Sequence, residues 1–287
     1  SIWLGWGLAA VGMLLVSTDS FFIRLAATDS WTMAFLVAVI SLPVFVGLWW
    51  REAPRSSGGE VTWRPLAAVG ALGAVSHVAF ITAVTRTDVA NVVAIVAAAP
   101  VVAAGLAWFA LGERVAARLW VAMAVTGLGI GVVVGGSVGR PRLDGDLLAV
   151  VAIVAFGAAT VVWRRHPDLS RHQGLALSSA LVAAATALPA APLDQAPRTY
   201  VAAALMGLLF SPAGRIAHSS APRFAPAAEV ALFAPVETVA APIWAWLAFE
   251  ETPAALTVVG AVIIITGMLV GTAGSGVGRR RVQPARA

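Results

Sequence analysis

Five ionisable or amide side chains stand inside long apolar stretches of this chain: Asp19, His77, Asn91, Arg215 and Glu237. Ser17, Ser76 and Ser211 are their neutral companions. A charge at the centre of a bilayer costs about 2.5–3.5 kcal/mol even on the lenient insertion scale, so such groups face a helix bundle or a wet cavity. Glu237 stands between Pro235 and Pro242, where a carboxyl can exchange a proton between two access states. The plainer reading is a structural carboxyl, protonated or paired with Arg215. His77 shares a helical face with Gly70, Gly73, Phe80 and Val84. It can bind a substrate carboxylate, relay protons, or simply bond to backbone or Ser on another helix.

The remaining candidates carry two readings each. Asp19 and Asn91 fall toward the outer ends of their stretches, as helix-end polar groups or as site residues. Trp163 can stack on an aromatic substrate or anchor the inner interface beside Arg164. Arg215 can face the cavity or snorkel to the cytosolic interface. Pro100, Pro212, Pro235 and Pro242 free carbonyls and bend helices, as gating segments do and as static bundles also do.

The elements that must position these residues follow from composition. Of 287 residues 60% are apolar and 11% charged, against about 25% charged in a soluble domain. That excludes a water-soluble globule, a disordered tail and a fibre. The net charge of +5 comes from 19 Arg and no Lys, and it reads as loop charge in a polytopic membrane protein rather than as nucleic-acid binding. A bilayer-spanning helix needs roughly 20 apolar residues. Cutting at charged and Pro/Gly-rich breaks predicts ten: 2–23, 31–50, 65–85, 89–111, 117–137, 146–163, 173–191, 199–220, 226–249 and 254–273. The continuous runs are too long for barrel strands. The first is not read as a cleaved signal peptide, since no basic n-region precedes it. With the N-terminus inside, only Arg24, Arg86, Arg140, Arg142 and Arg198 of the 19 Arg fall outside, so both termini are expected in the cytosol.

Shifted by about 140 residues, the chain weakly matches itself. Trp108-Phe-Ala-Leu-Gly-Glu113 falls on Trp246-Leu-Ala-Phe-Glu-Glu251, and Thr126-Gly127-Leu-Gly-Ile-Gly131 on Thr266-Gly267-Met-Leu-Val-Gly271. Gly145-Asp146-Leu147-Leu148-Ala149 falls on Gly5-Trp6-Gly7-Leu8-Ala9. A shift of 138 sets Arg215 opposite His77. Two units of five spans cross the membrane in opposite senses, a common build of secondary transporters with the site near the midplane. The expected fold is an all-α polytopic membrane protein of ten transmembrane helices in two inverted five-helix repeats. Residues 1–137 form the first, 138–145 a linker, 146–273 the second and 274–287 a basic cytosolic tail. Gly127-xxx-Gly131 and Gly267-xxx-Gly271 are expected close-packing faces.

The motifs Ala99-Pro100, Trp108 and Leu111-Gly112-Glu113-Arg114, with Pro235-Val236-Glu237, Trp246 and Glu250-Glu251-Thr252-Pro253, resemble the drug/metabolite transporter superfamily, EamA-type branch. Glu250 departs from the usual Gly of the motif. Within that branch the chain resembles the YddG-like aromatic amino-acid exporters. The resemblance implies a secondary transporter of the plasma (inner) membrane that exports amphipathic amino acids by alternating access. The site residues expected are His77, Phe80, Asn91, Trp163, Ser211 and Arg215 for substrate, with Glu237, Asp19, Pro100 and Pro235 for gating or proton coupling. The partners expected are a small-molecule substrate and the lipid bilayer, no nucleic acid, and a monomeric state. No cofactor or metal is expected: a phosphate loop needs a Lys, no His-Glu-x-x-His occurs, and cysteine is absent. Rival readings are a drug, sugar or nucleotide-sugar carrier of the same fold, a channel, and an intramembrane hydrolase. The last would need Ser76 or Ser211 with His77 or His218, but no Gly-x-Ser-x-Gly elbow supports it.

Overall fold

A computed structural model of the chain describes residues 1–52, 63–87, 92, 95, 96, 98–113, 115–134, 143–250 and 255–273. Within these the fold is helical. The helices are α1 (Ile2–Val16), α2 (Thr18–Ala26), α3 (Ser30–Glu52), α4 (Trp63–Arg86), α5 (Ala99–Leu111), α6 (Ala117–Val134) and α7 (Leu143–Arg165). They continue with α8 (Arg171–Thr186), α9 (Pro197–Leu205), α10 (Ser211–Ser220), α11 (Ala227–Ala231), α12 (Val236–Phe249) and α13 (Ala255–Thr272). Seven stretches among the described residues are long and apolar enough to cross a membrane. The expected fourth and fifth spans show as shorter apolar helices, Ala99–Leu111 and Ala117–Val133. The expected seventh ends at Thr186 rather than at 191, because Pro189 and Pro192 cannot continue a helix. Its start is fixed by Ser170, whose Oγ accepts from the Gln173 N–H at 3.3 Å.

Three expected spans are interrupted, each for a local reason. Between α1 and α2, the Ser17 and Thr18 hydroxyls donate back to the Leu14 and Leu15 carbonyls, both at 2.6 Å. Such back-bonding bends helices. Between α9 and α10 a π-helical turn, Met206–Phe210, precedes Pro212. Pro212 has no N–H to donate and its ring crowds the carbonyl four residues back, so the turn widens there. Between α11 and α12 the chain makes turns over 232–235, and Pro235 is the N-cap of α12.

The packing pairs α1 with α10, α3 with α8, α4 with both α7 and α8, α5 with α7, and α6 with α13. Exchanging each expected span for the one five places along relates several of these contacts to one another. The α4–α7 contact becomes α10–α1, and the α5–α7 contact becomes that of α1 with α11 and α12. The pairs α3–α8 and α6–α13 map onto themselves. Two side-chain contacts join residues 138 apart in sequence: Ser41 Oγ meets Ser179 Oγ at 3.4 Å, and Arg215 meets His77 at 3.4 Å.

Close approach of backbones explains some glycines and corrects one expectation. On α6 the packed glycine is Gly129, where a Cβ would come within 2.8 Å of the Gly260 carbonyl oxygen. Gly127 and Gly131 would meet nothing within 4 Å, so they are not the packing face; the helix turns its odd glycine, one position between them, to α13. Gly267 and Gly271 do pack, against Thr126, Leu232 and Ala122.

The helices carrying the repeated Trp motif end alike. Gly112 caps α5 at φ 67° and Glu250 caps α12 at φ 56°, both left-handed, and the two positions are 138 residues apart. This is the position where the second copy lacks the usual Gly. A left-handed conformation costs a non-glycine residue about 1 kcal/mol or somewhat more. Glu250→Gly should therefore stabilise the protein by about 1 kcal/mol and Gly112→Glu should destabilise it by a similar amount, read as opposite shifts in the unfolding midpoint of the detergent-solubilised protein. Equal shifts in one direction would contradict the cap assignment.

Candidate functional site

The structure brings four of the sequence candidates together. His77 from α4 and Arg215 from α10 meet at 3.4 Å between Nδ1 and a guanidinium nitrogen. Asp19 of α2 lies within electrostatic reach of both Arg215 and Glu237 of α12. All four are half-buried. Asp19 Oδ1 is buried without a hydrogen-bond partner, and no ion pair among the described residues ties Asp19 to Arg215. The plainer pairing of Glu237 with Arg215 is likewise absent from the ion pairs of the described residues.

The interrupted helices are what place these groups. The kink at Ser17 is pinned by Trp244, whose Nε1 donates to Ser17 Oγ at 2.8 Å. That bond ties the start of α2, and so Asp19, to the α12 that carries Glu237. The π-helical turn ahead of Pro212 resets the rotation of α10, and Arg215 emerges one turn later. Gly12 lets α1 and α10 touch: a Cβ there would lie 2.7 Å from the His218 backbone nitrogen and 2.9 Å from the Gly214 carbonyl oxygen.

The other candidates are placed differently. Ser211 is 1% exposed at the start of α10, buried in packing rather than lining an opening. Ser76 donates to the Ala152 carbonyl at 2.9 Å and so joins α4 to α7. Trp163 is 6% exposed; the Arg171 guanidinium covers its ring at 4.7 Å, and its edge abuts Gly174. That is an interior packing role, away from the four-residue cluster, because both Arg171 and the glycine on α8 are shaped around the indole. Phe80, one turn along from His77, is 38% exposed. Pro100 is buried in the first turn of α5 and Pro235 is buried at the head of α12. They start helices rather than bend the middle of continuous ones. Asn91 lies outside the described residues, as does the Val84 side chain.

Two features lie outside the expected cargo and coupling residues, His218 having been weighed only for a hydrolase dyad. His218, one turn beyond Arg215, stacks on Phe156 of α7 at 5.1 Å and 28°, with both ring nitrogens buried and unpartnered. Glu229 of α11 is 4% exposed; it accepts from Trp6 Nε1 at 2.9 Å and from Arg118 at 3.1 Å. Glu229 stood inside an apolar stretch like the other candidates, so the signal was present. Its proximity to the stretch's end disguised it. At the same end of the bundle Arg164 pairs with Glu113 at 2.9 Å and donates to the Pro222 carbonyl at 3.0 Å. These contacts fasten helices of the first half of the chain to helices of the second.

The cluster thus offers one permanent cation, two carboxylates and an imidazole inside an apolar bundle. It can hold a small charged or zwitterionic molecule and can move protons. No group of three His, Asp or Glu suited to a metal ion occurs among the described residues.

The profile of the EamA-like transporter family matches residues 3–135 and 143–272. A solved crystal structure aligns with 95% of this chain and 98% of its own at a TM-score of 0.78 and 17% identity, a likeness of fold. No curated protein matches the chain by sequence.

The ion pairs differ in burial, and that sets their worth. Removing a partner strands a buried polar group at about 1–3 kcal/mol, whereas a solvent-screened pair contributes about 0–1 kcal/mol. Glu229 is nearly closed off, while Glu113 and Arg164 each keep about a quarter of their side chains exposed. Glu229→Ala should accordingly destabilise the detergent-solubilised protein by about 1–3 kcal/mol and Glu113→Ala by less. Thermal unfolding of the two variants checks the order, and the reverse order would refute it.

Proposed function

Because the chain belongs to the EamA-like transporter family, and is thereby a multi-pass membrane transporter of the drug/metabolite type, we propose that it exports aromatic and other amphipathic amino acids by alternating access, as a YddG-like carrier. Ten spans in two inverted repeats, residues 1–137 and 146–273, rock about a site between them. The chain acts as a monomer in the inner membrane with both termini, and the basic tail of residues 274–287, in the cytosol.

The single observation that carries this reading is the meeting of repeat mates. Under a two-fold exchange of the halves, a residue can touch its own counterpart only on the exchange axis. Ser41 with Ser179, and His77 with Arg215, are each 138 residues apart and each in contact. These two contacts support a seam between the halves that passes through His77 and Arg215, with Asp19 and Glu237 beside it. That is where an inverted-repeat carrier binds its cargo. The two-part family match, over 3–135 and 143–272, supports the same division.

The chemistry of the cluster favours the cargo class. Phosphorylated sugars and nucleotides call for several cationic groups, and in this cluster Arg215 is accompanied by two carboxylates. A zwitterion with an apolar side chain suits one cation, nearby carboxylates and apolar walls. Export as the direction, and the aromatic preference, come from the resemblance to the exporters. Glu237 is the group for proton coupling, since an intramembrane carboxyl can trade its proton between access states.

Purified protein in proteoliposomes, offered a panel of amino acids, sugars and nucleotides with and without a pH gradient, should carry aromatic and large apolar amino acids best. Arg215→Ala should cut that flux at least ten-fold. Glu237→Gln should retain exchange without a gradient and lose its acceleration by one. Preference for sugars or nucleotides would overturn the cargo, and a Glu237→Gln protein still driven by the gradient would remove that residue from coupling.

A further inference from the structure

We propose that Asp19 is the ammonium anchor of the cargo site, holding the α-amino group of a zwitterion whose carboxylate lies on Arg215. The assignment rests on the transporter reading and sharpens it: the cargo must carry both charges.

The argument begins with what Asp19 lacks. A carboxylate inside an apolar bundle normally has its oxygens occupied by donors, since an unsatisfied buried group is costly. Asp19 Oδ1 is buried and has no donor among the described residues. Yet the residue is close enough to Arg215 to feel its charge without an ion pair forming. Arg215 is turned to the His77 ring instead. Asp19 Oδ1 thus lacks a donor while Arg215 makes a 3.4 Å contact to an imidazole, so each has capacity for a further partner. An ammonium carries three donors and a carboxylate accepts a forked pair from a guanidinium. A zwitterion inserted between the two satisfies both at once, whereas an anion leaves Asp19 orphaned.

The backbone is arranged to keep Asp19 there. Were α1 and α2 one straight helix, residue 19 would be aimed by the same face rotation as Met13 and Val16. The interruption at Ser17 breaks that relation, and the Trp244 bond at 2.8 Å holds the interruption in place. α1 and α10 run side by side with Gly12 at the level of Gly214 and His218. Gly214, next to Arg215, also abuts Leu15 and Val16, three to four residues before Asp19. The counterpart positions of Asp19 in the second half are Gly157 to Ala159, and those of Glu237 in the first are Ala97 to Ala99, all uncharged. The acids thus lie to one side of the His77–Arg215 contact. Toward the other side stand the stacked rings of Phe156 and His218, one turn from Arg215. A bound amino acid would lie with its ammonium toward Asp19 and its side chain toward those rings.

The test compares L-phenylalanine with 3-phenylpropionate, which lacks the ammonium, and phenethylamine, which lacks the carboxylate. Each competes against labelled L-phenylalanine for uptake into proteoliposomes. In a parallel measurement each shifts the thermal unfolding midpoint of the full chain in detergent. Unlabelled L-phenylalanine should compete at least ten-fold better than either truncated compound. In Asp19→Asn its affinity should fall at least ten-fold, to the level of 3-phenylpropionate, whose own weak effect should not change. Equal competition by 3-phenylpropionate and L-phenylalanine in the unaltered protein would overturn the assignment while leaving an amino-acid carrier in place. So would an Asp19→Asn protein that keeps the ten-fold preference. If Asp19→Asn fails to fold, the comparison in the unaltered protein decides alone. If L-phenylalanine neither competes nor shifts the midpoint, the amino-acid reading fails first and this assignment goes with it.

Discussion

A guanidinium in the interior of an apolar helix bundle is the most demanding group in this chain. Arg215 cannot give up its proton under ordinary conditions, so its surroundings must supply counter-charge, acceptors or water. The fold supplies them from helices distant in sequence: an imidazole from α4, carboxylates from α2 and α12. The helices carrying Asp19, Arg215 and Glu237 each begin at an interruption close to the residue they contribute, while α4 runs unbroken. The breaks at Ser17, at Met206–Phe210 and at 232–235 are thus the means by which straight-running membrane helices bring side chains to one place. In a bilayer a broken helix is tolerated only where protein or a wet cavity satisfies the freed backbone groups.

The same constraint explains the contrast between the cluster and the rest of the polar interior. At the end of the bundle bearing Arg118 and Arg164, charges are consumed by partners: Glu229 by Trp6 and Arg118, Glu113 by Arg164. Arg171 is consumed by backbone carbonyls and the face of Trp163. The Glu229 and Glu113 contacts fasten the two halves, although Glu113 Oε2, Arg118 Nε and Arg171 Nη2 keep no partner among the described residues. Within the cluster, Asp19 and Arg215 are held near each other and left unpaired. Closed polar networks rigidify a bundle, and half-open ones are what a ligand or a proton completes.

Much of this was legible in the sequence, and for physical reasons. Apolar runs of twenty residues admit few alternatives to helices, and buried charges among them are too costly to be accidental, so Asp19, His77, Arg215 and Glu237 could be singled out before any coordinates. The shift of 138 gave Arg215 and His77 counterpart positions; that they touch was not part of that reading. What could not be read was rotation. Residues at one depth face any direction around a helix, and kinks reset that direction. Hence Trp163, reached by the right span, turned to Arg171 instead of the cluster, and Gly129 rather than Gly127 or Gly131 met α13. Glu229 was missed, and His218 left out of the expected site, because proximity to a span's end looked like exposure. The helix end at Glu250 kept the shape of its glycine counterpart despite the change of residue, which no composition argument anticipates.

The central claim is that the His77–Arg215 contact lies on the seam of two halves that open in turn to either side of the membrane. The chain has no cysteine, so a single reporter thiol can be placed without background by His77→Cys. Membrane-impermeant maleimide applied separately to right-side-out and inside-out vesicles then reads access directly. Alternating access predicts labelling from both sides, with added L-phenylalanine changing the two rates in opposite directions. Labelling from neither side, or from one side only whatever cargo is present, would contradict it.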